Sequence, residues 1–250
     1  MKKWNTIWIT GASSGIGYEL SKLLSSEASY IAVSARRESK LKELADNYDN
    51  IHSHKLDITN EEESRICIDE IEKNSNGNID LVVLNAGKSV LFKVNDFDSK
   101  AIRECFEVNY IGVMHSLSII VPKMIKAKTG HIAIVSSVAG YRGLPNSIAY
   151  GPTKAALINL AEVLRSELSK YGIVVTLINP GFVDTEMTKV NKFPMPFIVS
   201  AKFAAEKIFD GLKKDKYEIT FPLYFSLVLK LLRIIPNSLY FWIVKKFIWK

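Results

Sequence analysis

A strand-like run, TIWIT at 6–10, feeds directly into the octet TGASSGIG at 10–17, and this junction limits the folds open to the chain more than any other feature. Gly11, Gly15 and Gly17 let a backbone turn tightly and then open a helix near Ile16, which leaves the helix's first N–H groups without partners and facing outward. Such a strand, turn and helix start is a ready cradle for a pyrophosphate. Glycines alone say little; their place between a β-branched run and an amphipathic run makes them a dinucleotide signal.

The same alternation continues along the chain. Further strand-like runs lie at 30–34, 51–56, 79–84, 131–136, 173–179 and 217–220, with helix patterns at 16–28, 37–47, 60–74, 99–127, 150–170 and 200–210. The strands are apolar on both faces, which calls for helices on both sides of a parallel sheet. The expected fold is therefore α/β, a Rossmann-like doubly wound parallel sheet of about seven strands flanked by helices, with an apolar C-terminal helical tail. Residues 1–220 form one dinucleotide-binding and catalytic domain and 221–250 an extension of it. With 48% hydrophobic residues and only two cysteines, disorder and disulfide scaffolds are excluded. Cys67, Cys105 and the four histidines lack metal-ligand spacing, so no metal site is expected, and a reducing, cytoplasmic setting follows.

Cofactor choice is read at the end of the second strand. About 20 residues past the glycines, an NAD site places a carboxylate for the ribose hydroxyls; here stand Ala35, Arg36 and Arg37. A guanidinium suits a 2'-phosphate and a carboxylate would repel it, so Arg36 points to NADP, whereas Arg37 also fits a plain exposed helix start.

The chemistry is legible near residue 150. Tyr150 and Lys154 are four apart on a helix pattern and share a face. A phenol ordinarily titrates near about 10, and a nearby ammonium is expected to lower that value, so that Tyr150 can exchange a proton with a carbonyl or alcohol oxygen. Ser137, at a strand end, can donate a second hydrogen bond to the same oxygen. Lys154 is also expected to hold the nicotinamide ribose.

Five ordered blocks, TGASSGIG at 10–17, LNAG at 84–87, Asn109, SSVAG at 136–140 with YGPTK at 150–154, and PGFVDT at 180–185, make residues 4–220 resemble the NADP-preferring short-chain dehydrogenases/reductases of about 250 residues. The resemblance implies a catalytic set of Asn109, Ser137, Tyr150 and Lys154, with Asn109 bending its helix and holding a relay water. It implies cofactor contacts from Ser13 and Ser14 near phosphate and ribose, Ile16 at the pyrophosphate, Asp57 at the adenine, and Asn85, Ala86 and Gly87 beside the adenosine ribose and central strand. Pro180, Gly181, Val183 and Thr185 are then expected to flank the nicotinamide. Leu84 stands where relatives usually carry asparagine, a departure that bears on strand packing.

The stretch 182–199 is rich in Phe, Met, Val and Ile, which suggests an apolar lid over the carbonyl or secondary alcohol of a small apolar substrate, lipid-derived ones included. A 3-oxoacyl reductase acting on a carrier-bound chain is an alternative, as is a cofactor-binding membrane-peripheral scaffold with little catalysis. Charge is segregated: residues 221–250 hold five bases and no acid, while the body carries 28 bases against 26 acids. That pattern is no nucleic-acid footprint. Twenty of those 30 tail residues are apolar, yet Lys230, Arg233 and Pro236 interrupt them, so two short helices at 222–235 and 238–249 are expected rather than a membrane span. Trp242, Trp249 and the lysines suit an anionic membrane surface; packing on the pocket or on a partner subunit is the other reading. The family resemblance also implies a homodimer or homotetramer through the long helices at 99–127 and 150–170.

Overall fold

In the computed structural model, which describes residues 3–191 and 193–247, seven strands form one parallel sheet. In chain order these are β1 (Thr6–Thr10), β2 (Tyr30–Ala35), β3 (Ile51–Lys55), β4 (Leu81–Leu84), β5 (Gly130–Val135), β6 (Ile173–Pro180) and, after the short β7 (Val183–Asp184) and β8 (Val199–Ser200), β9 (Glu218–Phe221). Their spatial order is β3-β2-β1-β4-β5-β6-β9, while β7 and β8 pair as a separate two-stranded ribbon. The order reverses between β1 and β4, so the loops at their carboxyl ends diverge and leave a crevice.

Helices cover both faces as expected: α1 (Gly15–Leu24), α2 (Glu38–Ala45), α3 (Glu61–Ser75), α4 (Ser99–Phe106), α5 (Gly112–Ala127), α6 (Tyr150–Leu168) and α7 (Ala201–Lys213). Two buried clusters result, one around Trp8, Val82, Leu117 and Ile158 and the other around Ile9, Leu20, Val83 and Ile208, because neighbouring side chains on a strand point to opposite faces. Leu84 is buried in the first.

Two elements differ from the sequence pattern. The run 99–127 is continuous but passes through a π turn at Glu107–Ile111, where Asn109 is fully buried. This run is long and apolar enough to cross a bilayer, yet its Val113, Leu117, Ile120 and Met124 belong to the core. Helix α1 stops at Leu24 instead of reaching residue 28, where Ser25 and Ser26 turn their hydroxyls back onto the carbonyls of Lys22 and Leu23.

The tail forms α8 (Leu223–Ile234) and α9 (Asn237–Phe247); Trp249 and the rest of the expected second helix beyond 247 lie outside the described residues. Both helices pack on the body by a narrow face carrying Ser226, Leu229, Tyr240 and Val244. Glu218 anchors them: it accepts hydrogen bonds from Tyr141 at 2.6 Å and Asn179 at 3.0 Å and pairs with Lys230 of α8. Arg142 donates to Asn237 at 2.6 Å and lies 4.2 Å over the Tyr240 ring, whose hydroxyl donates to the carbonyl of Gly143.

Since Leu229 is buried and Leu231 is mostly exposed, Leu229→Ala should cost about 2–5 kcal/mol and Leu231→Ala no more than about 0.5 kcal/mol. Urea unfolding midpoints of the two variants check which face of α8 carries the packing.

Candidate active site

The crevice at the β1/β4 switch point is a groove of about 350 Å3 running along the carboxyl edge of the sheet. Its floor is the glycine loop. Gly11 has φ +69°, and a Cβ there would lie 2.7 Å from the Ala86 Cα; Gly15 has φ +60°, with Thr185 Cγ2 within 2.9 Å of the same point. Both positions therefore require glycine for conformation and for space. Ser14 is the N-cap of α1, but its side chain caps nothing. The helix's first N–H groups are left free of a side-chain acceptor at the groove, which fits a bound pyrophosphate.

The second wall is the turn after β4. Thr10 Oγ1 accepts from the N–H of Asn85 at 3.0 Å and of Ala86 at 3.1 Å, while Asn85 Nδ2 donates to the carbonyls of Thr10 and Gly11 at 3.0 Å each. The two loops are thus fixed to each other. Asp57 lines the far end, its carboxylate accepting from the amide and hydroxyl of Thr59.

Of the residues singled out from sequence, Gly11, Ser13, Ser14, Gly15, Ile16, Arg36, Asp57, Asn85, Ala86, Gly87, Ser137, Tyr150, Lys154, Pro180, Gly181, Val183 and Thr185 all line this one groove. Gly17 and Asn109 stand behind its wall. The Asn109 carboxamide is spent on structure: Oδ1 accepts from the Lys88 N–H at 2.7 Å, and Nδ2 donates to the Lys88 carbonyl at 2.9 Å and to Thr153 Oγ1 at 3.0 Å. It ties the turn after β4 to α6, the helix that carries Tyr150 and Lys154.

Arg36 and Arg37 divide their work differently from expectation. Arg36 reaches the groove exposed and, among the described residues, without a protein partner. Arg37, which sequence left as a plain helix start, lies along the groove rim: it donates to Ser13 Oγ at 3.0 Å and Ser14 Oγ at 2.7 Å and pairs with Glu186 at 2.6 Å. Glu186 and Thr188 carry no signal beyond their place after the PGFVDT block; Thr188 lines the groove together with Met187 of the expected apolar lid.

At the other end, Ser137, Tyr150 and Lys154 converge. Burial pushes the Tyr150 phenol up to about 12, against a smaller opposing pull from a hydrogen bond with Ser137. Burial pushes the Lys154 ammonium down to about 8. Lys154 Nζ donates to the Val135 carbonyl at 2.9 Å and sits 5.5 Å from the Tyr150 ring centroid. The expected lowering of the phenol by the ammonium is therefore not met, because desolvation outweighs a charge turned toward a backbone carbonyl. Tyr150 is held as the neutral acid. Ser136 and His115 are structural: Ser136 Oγ donates to the Lys154 carbonyl at 2.7 Å, and His115 Nδ1 lies 3.4 Å from the Ile58 carbonyl.

The pattern of the short chain dehydrogenase family matches residues 5–194. The chain belongs to that family. It is an oxidoreductase dependent on a nicotinamide dinucleotide. An uncharacterized oxidoreductase of Myxococcus xanthus is 33% identical over 241 residues, 95% of each chain. A short chain dehydrogenase of Burkholderia cenocepacia, solved with NADP, superposes with a TM-score of 0.84 at 23% identity, covering 98% of this chain and 99% of the other. ElxO, solved with NADP and, as a tyrosine-to-phenylalanine variant, with NADPH, gives 0.78 at 25% identity over 88% of this chain and 97% of its own.

The Lys154 shift has a sign that can be checked. In the unfolded chain the ammonium titrates near 10.5 and in the fold near 8. Below pH 8 both states are protonated and the fold carries the whole penalty. Between 8 and 10.5 the unfolded state binds more protons, so this contribution to stability rises with pH. Lys154→Met removes the buried charge, and its stability gain over the wild type should be greatest below pH 8, about 3 kcal/mol at most, and shrink toward pH 10.5. Denaturant unfolding of both proteins across that range measures it; a gain that stays constant contradicts the burial penalty.

Proposed function

We propose that the protein transfers hydride between NADP(H) and a carbonyl or secondary alcohol of an apolar, lipid-like substrate. The observation that carries this reading is that one groove has a partnerless guanidinium, Arg36, at one end and the Ser137, Tyr150 and Lys154 side chains at the other. Arg36 suits the 2'-phosphate by charge, and the open start of α1 suits the pyrophosphate. Lys154 has the reach and charge to hold ribose hydroxyls.

The bound cofactor supplies the hydride to the carbonyl carbon. Tyr150 Oη gives its proton to the carbonyl oxygen, and the phenol's high affinity for its proton keeps it in the acid form needed for reduction near neutral pH. Ser137 Oγ donates a hydrogen bond to the same oxygen, an interaction that strengthens as negative charge gathers there. Asn109 acts by fixing the wall against which Tyr150 and Lys154 stand, and the π turn at Glu107–Ile111 is the helix bend expected at this position. In the reverse direction the Tyr150 phenolate takes the alcohol proton, which favours oxidation only at high pH.

The substrate side supports an apolar skeleton. Phe182 packs on Phe193 and Phe225 with ring centroids 6.0 and 5.8 Å apart, and Met187 faces the groove. Such a wall excludes water from hydride transfer. An oligomer built through α5 and α6, and attachment at the cytoplasmic face of a membrane through the tail, belong to the same reading.

Tyr150→Phe removes the proton donor and keeps the ring, so NADPH binding should persist while carbonyl reduction falls by about 100-fold or more. Arg36→Ala should cut the preference for NADPH over NADH by about 10- to 100-fold, the scale of one charge-assisted hydrogen bond. Both are read from fluorescence titrations with the two cofactors and NADPH-oxidation assays on ketones and aldehydes of increasing chain length. Wild-type turnover in Tyr150→Phe, or tighter NADH binding in the wild type, overturns the assignment.

A further inference from the structure

Helix α8 is oriented against the usual rule for an amphipathic helix. Its buried face is narrow, while Leu223, Tyr224, Leu227, Leu231 and Ile234 fall on one arc of about 100° turned to solvent. Ile234 is 81% exposed, Tyr224 69% and Leu231 61%. The surface does not stop at the tail. Tyr224 meets Phe197 of the substrate loop edge to face at 5.9 Å, and the loop adds exposed Val190 and Ile198. From α9, Phe241, Trp242 and Phe247 are also outward. Scattered exposed apolar residues need no explanation, but a joined patch of this kind marks an interaction surface.

Charge selects the occupant. Residues 221–250 hold five bases and no acid, while the loop at 182–199 balances two lysines against Asp184 and Glu186. Lys230 is consumed by Glu218, whereas among the described residues Lys245 and Arg233 have no acidic partner, and Lys246 Nζ lies 4.8 Å over the Trp242 ring. A second copy of this chain docking tail to tail would set bases against bases with no acid in either tail to pair them. A negatively charged lipid surface meets both demands, taking the apolar arc into its interface and the bases at its headgroups.

The patch is also continuous with the groove. A Cβ on Gly181, which lines the groove, would lie 3.1 Å from Pro222 and 3.3 Å from Phe225, so the start of α8 rests directly on the substrate end of the site. Phe225 in turn stacks on Phe182 and approaches Phe197 at 6.2 Å.

We infer that the outward face of α8, together with α9 and the substrate loop, docks on an anionic bilayer and turns the mouth of the active site toward the lipid, so that substrates dissolved in the bilayer reach it without crossing water. The docking stands on the surface alone; the delivery of substrate rests on the reductase reading.

The full chain is floated with phosphatidylcholine vesicles with and without phosphatidylglycerol, and its NADPH oxidation is followed with a short water-soluble ketone and with a long-chain ketone dissolved in the same vesicles. Binding should rise with phosphatidylglycerol content and weaken without vanishing at high salt, since only the charge contribution is screened. Leu227→Glu with Leu231→Glu should abolish flotation, and Lys245→Glu with Lys246→Glu should weaken it about tenfold or more. Both variants should keep wild-type turnover on the soluble ketone and lose it on the vesicle-borne one. A wild-type chain that stays unbound with phosphatidylglycerol vesicles overturns the docking, as does a dimer in light scattering that the Leu227→Glu, Leu231→Glu variant halves in mass. Flotation with equal loss of activity on both ketones overturns the delivery. Flotation with no turnover of any ketone overturns the reductase reading and leaves the docking standing.

Discussion

Adjacent parallel strands deliver their following loops to the same edge of a sheet, but at a switch point those loops leave in opposite directions. Something has to hold them at a fixed spacing if a ligand is to lie between them. Here the fastening is the reciprocal set of hydrogen bonds between Thr10 and Asn85: one hydroxyl accepting two backbone N–H groups, one carboxamide donating to two backbone carbonyls. Every one of these partners is close to the groove, where a missing bond would leave a polar group desolvated. The glycine loop, the start of α1 and the turn carrying Gly87 take their positions from that fastening. Asn109 repeats the device one layer deeper, joining the Gly87 turn to α6.

Sequence pattern reveals what depends on local chemistry. The apolar strands and the glycine octet declare a doubly wound sheet because each strand must be covered on both faces and each glycine position tolerates no Cβ. Tyr150 and Lys154 declare themselves by helical spacing. What stays hidden depends on partners far along the chain. Arg36 and Arg37 are adjacent and chemically identical, and only the positions of Ser13, Ser14 and Glu186 decide that Arg37 is bound at the rim while Arg36 has no partner among the described residues. The protonation of Tyr150 likewise follows from where Lys154 Nζ points, toward Val135, and from how much water the pocket admits. The tail shows the same limit: its apolar content is plain from sequence, but the face it buries is set by Glu218, Tyr141 and Arg142, none of them in the tail.

The two ends of the groove use electrostatics in opposite ways. At the glycine loop, N–H groups with no side-chain cap and a guanidinium with no partner among the described residues keep a positive field open to solvent, suited to phosphate. At the catalytic end, burial removes the advantage of charge, and both Tyr150 and Lys154 shift toward their neutral forms. A polar anchor beside a dry reaction chamber lets one ligand be gripped strongly at a point remote from the bond that changes.

The π turn at Glu107–Ile111 has a geometric consequence for the whole second half of its helix. One residue advances an α-helix by about 100°, and a π turn absorbs one extra residue without breaking the rod. The phase of α5 is therefore set by that insertion. Without it, Val113, Leu117, Ile120 and Met124 would be rotated by roughly a quarter turn, away from the sheet they now cover. The bend that brings Asn109 to the active site is thus also the phase correction that lets one long helix serve a catalytic wall at its middle and the hydrophobic core along the rest of its length.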